Sequence, residues 1–253
     1  MTDRPESNGG DAPGAVRQAD RAVGRVLRAL EDAGLANATF VLFISDHGLA
    51  MPRAKCTLYD PGLEIAALMR WPDGGIAGGI VVNDLISNID LLPTLFDAID
   101  VPIPAGVQGR SFLPCLRGEH YTPRSAVFAE KTYHSYYDPM RAIRTERFKY
   151  IHNFEPTPLV EVPGDVARGA IFRANVERYY FGEHPPAELY DLQLDPLEQY
   201  NLAGAPEYAQ TQAWLDGRLV AWMRETGDAL AEGVATLPGI QAGDATAGRP
   251  RAC

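Results

Sequence analysis

The stretch Phe40–Lys55, FVLFISDHGLAMPRAK, ends an apolar run on Asp46, His47 and Gly48, with Lys55 shortly after. A carboxylate and an imidazole are two metal-ligand types, and glycine lets the backbone turn tightly between them and the next segment. Lys55 is near enough in sequence to return a fixed positive charge to the same place. A divalent cation plus a lysine makes a receptor for a doubly charged tetrahedral anion. The alternative for Asp46 is plainer, since Asp at a strand end often serves only as a turn or cap residue.

The elements that must position these groups can be read from periodicity. Val16, Ala19, Val23, Val26, Leu27, Leu30 and Ala33 fall on one helical face, and Gly34 stops that helix. A strand over about 39–45 is apolar on both faces, the pattern of an interior strand in a parallel sheet. Ligands gather beyond the carboxyl ends of strands in such sheets, which is where Asp46 and His47 stand. A second strand is expected in EIAALMRW, a loop in PDGGIAGGI, and a helix in NIDLLPTLFDAI with Pro93 in its first turn. The character then changes. RSAVFAEKT reads as a strand, MRAIRTERFKYIHNF as a hairpin turning at Thr145–Arg147, and ELYDLQLDP as a strand running into a turn. Residues 155–187 read as irregular. A last helix is expected from about Glu207 to Arg224, with Leu215, Leu219 and Trp222 on one side. The expected organisation is a flexible lead (1–14), the end of an α/β domain (15–118), a small α+β subdomain (119–226) and a loose tail (227–253).

The formal net charge of −10 disfavours a nucleic-acid partner. No run approaches the roughly 20 apolar residues that span a bilayer. The polar opening MTDRPESNGGDAPG is no signal peptide, and Cys56, Cys115 and Cys253 form no CxxC pair. A cytoplasmic, reducing location is the expectation.

LISNIDLLPTLFDAIDVPIPAGVQGRSFLPCLRGE, AEKTYHSYYDPMRAIRTERFKYIHNF and AELYDLQLDPLEQYNLAG occur in that order. Together they resemble the sulfatase family of the alkaline-phosphatase superfamily, from about Val16 to Arg224, and within it the heparan N-sulfatase branch. The resemblance implies an α/β fold class: the closing part of an alkaline-phosphatase-like mixed sheet, followed by a small antiparallel sheet with a helix. It implies hydrolysis of sulfuric esters or N-sulfates on a sulfated sugar or related small molecule. Asp46 and His47 would be metal ligands, with calcium implied first and manganese the rival that an imidazole ligand favours. Lys55 would contact the sulfate and the scissile oxygen. Glu130, Lys131 and His134 would line the substrate pocket, with Arg141 just after.

The family's nucleophile is a formylglycine made from Cys or Ser in a C/S-x-P-x-R pattern, and none of the 253 residues fits that pattern. Nor does the chain hold an Asp-Asp ligand pair. The expectation is therefore the C-terminal portion of a sulfatase, inactive alone and completed by an N-terminal segment or joined to a second copy. The alternatives are a non-catalytic remnant and a phosphonate or phosphodiester hydrolase of the same superfamily.

Overall fold

A computed structural model describes residues 12–233; the rest of the expected lead and tail lies outside the described residues. The described residues fall into two compact units. One comprises the chain up to Asp46, Ile65–Ser125 and Arg168–Ala170. The other comprises His47–Glu64, Ala126–Ala167 and Ile171 onward.

The first unit opens with helix α1, Ala12–Asp32, which begins inside the stretch expected to be a flexible lead. It ends as its sequence dictates. Gly34 takes a left-handed φ of 68°, and Leu35 N–H reaches back to the Leu30 carbonyl at 2.9 Å, closing the last turn. The apolar stripe of α1 stays largely open, with Val16 67% and Val26 62% exposed.

Strands β1 (Val41–Ile44) and β2 (Ala67–Arg70) pair antiparallel, Val41 opposite Arg70 and Ile44 opposite Ala67. This corrects the expectation of a parallel-sheet interior for β1. Apolar residues on both faces report that both faces suit burial, but they do not set the direction of the neighbour. Here Phe43, Ile44 and Leu68 remain exposed.

The unit's small core gathers Ile76, Ala98 and Leu113, with Phe40, Trp71 and Leu116 packed against them. Its polar hub is Asp90, fully buried just before the helix Leu91–Ala98. Its carboxylate accepts the Ser87 and Arg110 N–H groups and a two-pronged ion pair from Arg124. Gly109 is required beside this hub, because a Cβ there would sit 1.9 Å from the Ile89 carbonyl oxygen.

The second unit is a four-stranded antiparallel sheet in the order β3 (Val127–Tyr133), β4 (Tyr137–Arg144), β5 (Phe148–Asn153) and β6 (Ala187–Asp191). The β4–β5 hairpin turns where the sequence places it, with Thr145 and Phe148 bonded across the turn. Alternation along each strand sends successive residues to opposite faces. Ile143, Tyr150 and Leu189 meet Leu215, Leu219 and Met223 of the helix Ala209–Glu225 on one face. Ala142, Ile151 and Tyr190 meet Leu58 and Tyr59 on the other. The helix also buries Met223, while Trp222 packs partly buried against the same cluster and stacks on Phe128 at 4.8 Å. The spacing 215, 219, 223 keeps one row of the helix, whereas 222 falls beside it. The expected loose tail starts ordered, since Leu230 is buried in this core.

Within residues 155–187 short helical turns occur at Gly164–Ala167 and Val176–Tyr179. Among the described residues no helix is long and apolar enough to cross a membrane.

Candidate functional site

Residues 47–64 pack with the second unit, although sequence order alone assigns them to the preceding domain. The cause is their apolar end. Leu58 and Tyr59 are buried against β4, β5 and β6. At the ~25 cal/mol per Å² typical of apolar burial, two such side chains supply several kcal/mol of anchoring.

Polar contacts add to it. Tyr59 Oη donates to Glu188 at 2.7 Å, and Asp60 N–H donates to Glu198 at 2.7 Å. Lys149 lies 2.5 Å from Asp60 and 2.7 Å from Glu198. Arg53 donates to the Glu198 carbonyl at 2.6 Å while stacking over the Tyr59 ring.

The loop also closes on itself. Gly48 N–H donates to the Gly62 carbonyl at 3.1 Å, and a Cβ on Gly48 would lie 1.8 Å from the Pro61 oxygen. Arg53 and Cys56 hold left-handed backbone angles, φ 61° and 67°. A non-glycine residue adopts these at a cost of about 1 kcal/mol or more, which only an over-determined loop sustains.

Each expected site residue can now be placed. Asp46 follows Ser45, whose N–H bonds to Ala66 as the β1–β2 ladder closes in the first unit. His47 opens the loop in the second unit, and its Nδ1 donates to the Gly48 carbonyl at 2.7 Å. A carboxylate and an imidazole, the side-chain types at Asp46 and His47, are donor types that divalent cations accept within a fuller ligand set. Lys55 lies in the loop with its ammonium 2.7 Å from Asp165, which holds the Asp165 carboxyl below the usual carboxylate range.

Lys131 points to the same face as the loop. Its ammonium bonds to Asp138 at 2.5 Å, to Glu161 at 2.9 Å and to the Cys56 carbonyl at 2.9 Å. His134 lies 3.2 Å from Glu161, which also accepts the Ser135 N–H at 2.5 Å. Burial pushes the Glu161 carboxyl up, but Lys131 and Ser135 outweigh it and hold it below its ordinary value.

Glu130 and Arg141 are cross-strand partners on the other face. Arg141 is buried and makes a two-pronged pair with Asp228, while Glu130 is mostly exposed, 3.6 Å from Arg141. The structure thus brings Lys131 and His134 to the loop and keeps Glu130 and Arg141 away from it. Asp138, Glu161 and Asp165 complete the loop-side cluster. No local spacing marks them, because they reach it from separate segments. A groove of about 210 Å³ beside the loop includes Arg53, Tyr59, Arg178 and Tyr179 and none of the expected site residues.

Residues 47–163 match the family profile described as N-sulphoglucosamine sulphohydrolase, C-terminal. An ulvan-active sulfatase of Formosa agariphila is 34% identical over 83% of this chain and 42% of its own length. The N-sulphoglucosamine sulphohydrolase of Homo sapiens is 32% identical over 84% of this chain and 47% of its own length. A solved structure in complex with its substrate D-glucosamine-2-N,6-O-disulfate aligns with a TM-score of 0.67 at 25% identity, over 85% of this chain and 40% of that one. The chain thus spans less than half the length of these relatives.

Proposed function

Sequence and fold set this chain with the C-terminal portion of the sulfatase family, and we propose that it forms the anion-recognising part of a sulfatase acting on a sulfated sugar. The observation that carries the proposal is the clamped loop 47–64. It holds Lys55 on a rigid backbone, on a unit that also presents Lys131 and His134. Pre-organisation of this kind is what charge stabilisation in a transition state requires.

In this reading Asp46 and His47 hold a divalent cation, calcium by family and manganese as the rival that the imidazole favours. Such a cation, when bound, neutralises sulfate charge as a Lewis acid. His47 and Lys55, both carried by the loop 47–64, then face the same anion. Lys55 places its ammonium on the sulfate and on the bridging oxygen, leaving Asp165 to do so. Charge that builds on the leaving oxygen as an S–O bond breaks, or on the leaving nitrogen as an S–N bond breaks, is stabilised there. Lys131 and His134 contact the sugar side, with Glu130 and Arg141 supporting the pocket from the sheet's other face. The formylglycine nucleophile must come from another segment, of the same polypeptide or of a partner. A reducing, cytoplasmic setting agrees with Cys56 and Cys115 as free thiols.

The test is turnover of an aryl sulfate and of a glucosamine N-sulfate with calcium or manganese added. The chain alone should be silent. Co-expression with an N-terminal sulfatase segment carrying the C-x-P-x-R motif should give turnover that Lys55→Ala removes. Turnover by the chain alone, abolished by Asp46→Ala, would overturn the need for that segment.

A further inference from the structure

We propose that Cys56, His134 and Glu161 form a separate cation site that takes a thiophilic divalent ion of the zinc class. Their donor atoms, a thiol sulfur, an imidazole nitrogen and a carboxylate oxygen, all lie within 4.8 Å of one another. In a closed tetrahedral zinc site, with bonds of about 2.0–2.3 Å, neighbouring donors lie roughly 3.3–3.8 Å apart. Closure therefore asks for a contraction of about 1 Å.

His134 is the residue free to supply it. It is the most exposed of the three and follows the register shift between Lys131 and Tyr133 in the β3–β4 pairing. Irregularities of this kind re-aim a side chain out of the ladder. The other two donors are held. Cys56 is fixed by its left-handed backbone and by the Lys131 bond to its carbonyl. Glu161 is fully buried, with Oε2 bonded to Lys131 and Oε1 turned towards His134 and Ser135.

The charges also agree. Asp138 and Glu161 carry two negative charges against one positive charge on Lys131, and Lys55 with Asp165 is a neutral pair. A deprotonated Cys56 brings the local balance to −2, which one divalent ion cancels. Without an ion, burial and then the Glu161 charge push the Cys56 thiol up to about 11. Binding therefore releases one proton from sulfur, and His134 binds through whichever ring nitrogen carries no proton. A thiolate selects zinc-class ions over calcium or magnesium. Three protein donors leave the fourth tetrahedral position to water. The inference does not rest on the cation proposed at Asp46 and His47, although it engages His134, which the sulfatase reading sets on the sugar side.

The experiment is cobalt(II) titration of the full chain, followed by thiolate-to-cobalt charge-transfer absorption. The band should appear in the parent chain, in Cys115→Ser/Cys253→Ser and in Asp46→Ala/His47→Ala. It should vanish in Cys56→Ser and weaken in His134→Ala, and zinc should displace cobalt. Zinc should also protect Cys56, and not Cys115, from alkylation in the unmodified chain, a measurement that needs no variant to fold. No band at saturating cobalt, a band that survives Cys56→Ser, or alkylation of Cys56 undiminished by zinc would overturn the site.

Discussion

Glu130 and Lys131 are adjacent in β3 and point to opposite faces of the sheet. Glu130 pairs across to Arg141 on the helix side, whereas Lys131 reaches the Cys56 carbonyl, Asp138 and Glu161 on the loop side. Their substitutions should therefore differ sharply. Lys131→Ala leaves two buried carboxylates without their counter-charge and should cost about 3–5 kcal/mol. Glu130→Ala removes a mostly exposed partner and should cost under about 1 kcal/mol. Urea unfolding of the two variants measures the contrast, and equal losses would contradict the placement.

Arg141 is only 4% exposed and its guanidinium bonds to Asp228, Thr132 and two backbone carbonyls. Arg141→Ala should destabilise the second unit by about 3–5 kcal/mol, because Asp228 loses its pair and the sheet loses three bonds. Arg141→Lys should recover only part of this, since an ammonium cannot reproduce the planar fork. Unchanged stability in Arg141→Ala would leave only a role in contacting substrate.

Asp90 gives the first unit an acid limb. Burial pushes its carboxyl up, but the Arg124 pair and the Arg110 and Ser87 N–H groups outweigh that and hold it below its ordinary value. A carboxyl lowered by folding contributes stability that is fully present above the unfolded value of about 4 and lost as pH falls through the lower folded value. Asp90→Asn should thus destabilise near neutral pH and flatten the loss on going to about pH 3. Urea melts of parent and variant at the two pH values check it. Parallel losses in both would refute it.

Cys56 should be a poor nucleophile. Its thiol is pushed up from 9.0 to about 11, first by burial and then by Glu161. The thiolate fraction at neutral pH then falls about a hundredfold below that of an ordinary thiol, and alkylation slows with it. Peptide mapping after timed iodoacetamide treatment in the presence of a chelator reads the rate. Glu161→Gln should speed the reaction, and rapid labelling of Cys56 in the parent would contradict the burial described.

Much of the second unit was legible because local pattern and tertiary need coincide there. Alternation through Ile143, Tyr150 and Leu189 marks strands with one face against a helix, and the Thr145–Arg147 turn sets the hairpin register. The helix Ala209–Glu225 was legible from Leu215 and Leu219, although its third buried residue proved to be Met223. The first unit was less legible. Apolar residues on both faces of β1 do not encode the direction of its partner, and the structure pairs it antiparallel with β2.

By itself the sequence determined the elements and the order of motifs that marks the family. Such features depend on a few neighbouring residues, and a single chain carries them openly. Tertiary structure decided which side chains share a face. It separated Glu130 from Lys131 and drew Asp165 to Lys55 across 110 residues. It also gathered Cys56, His134 and Glu161 from three segments. Contacts of that kind follow from sheet pleat and from which apolar residues anchor a loop. Both are properties of the packed whole, and no spacing along the chain records them.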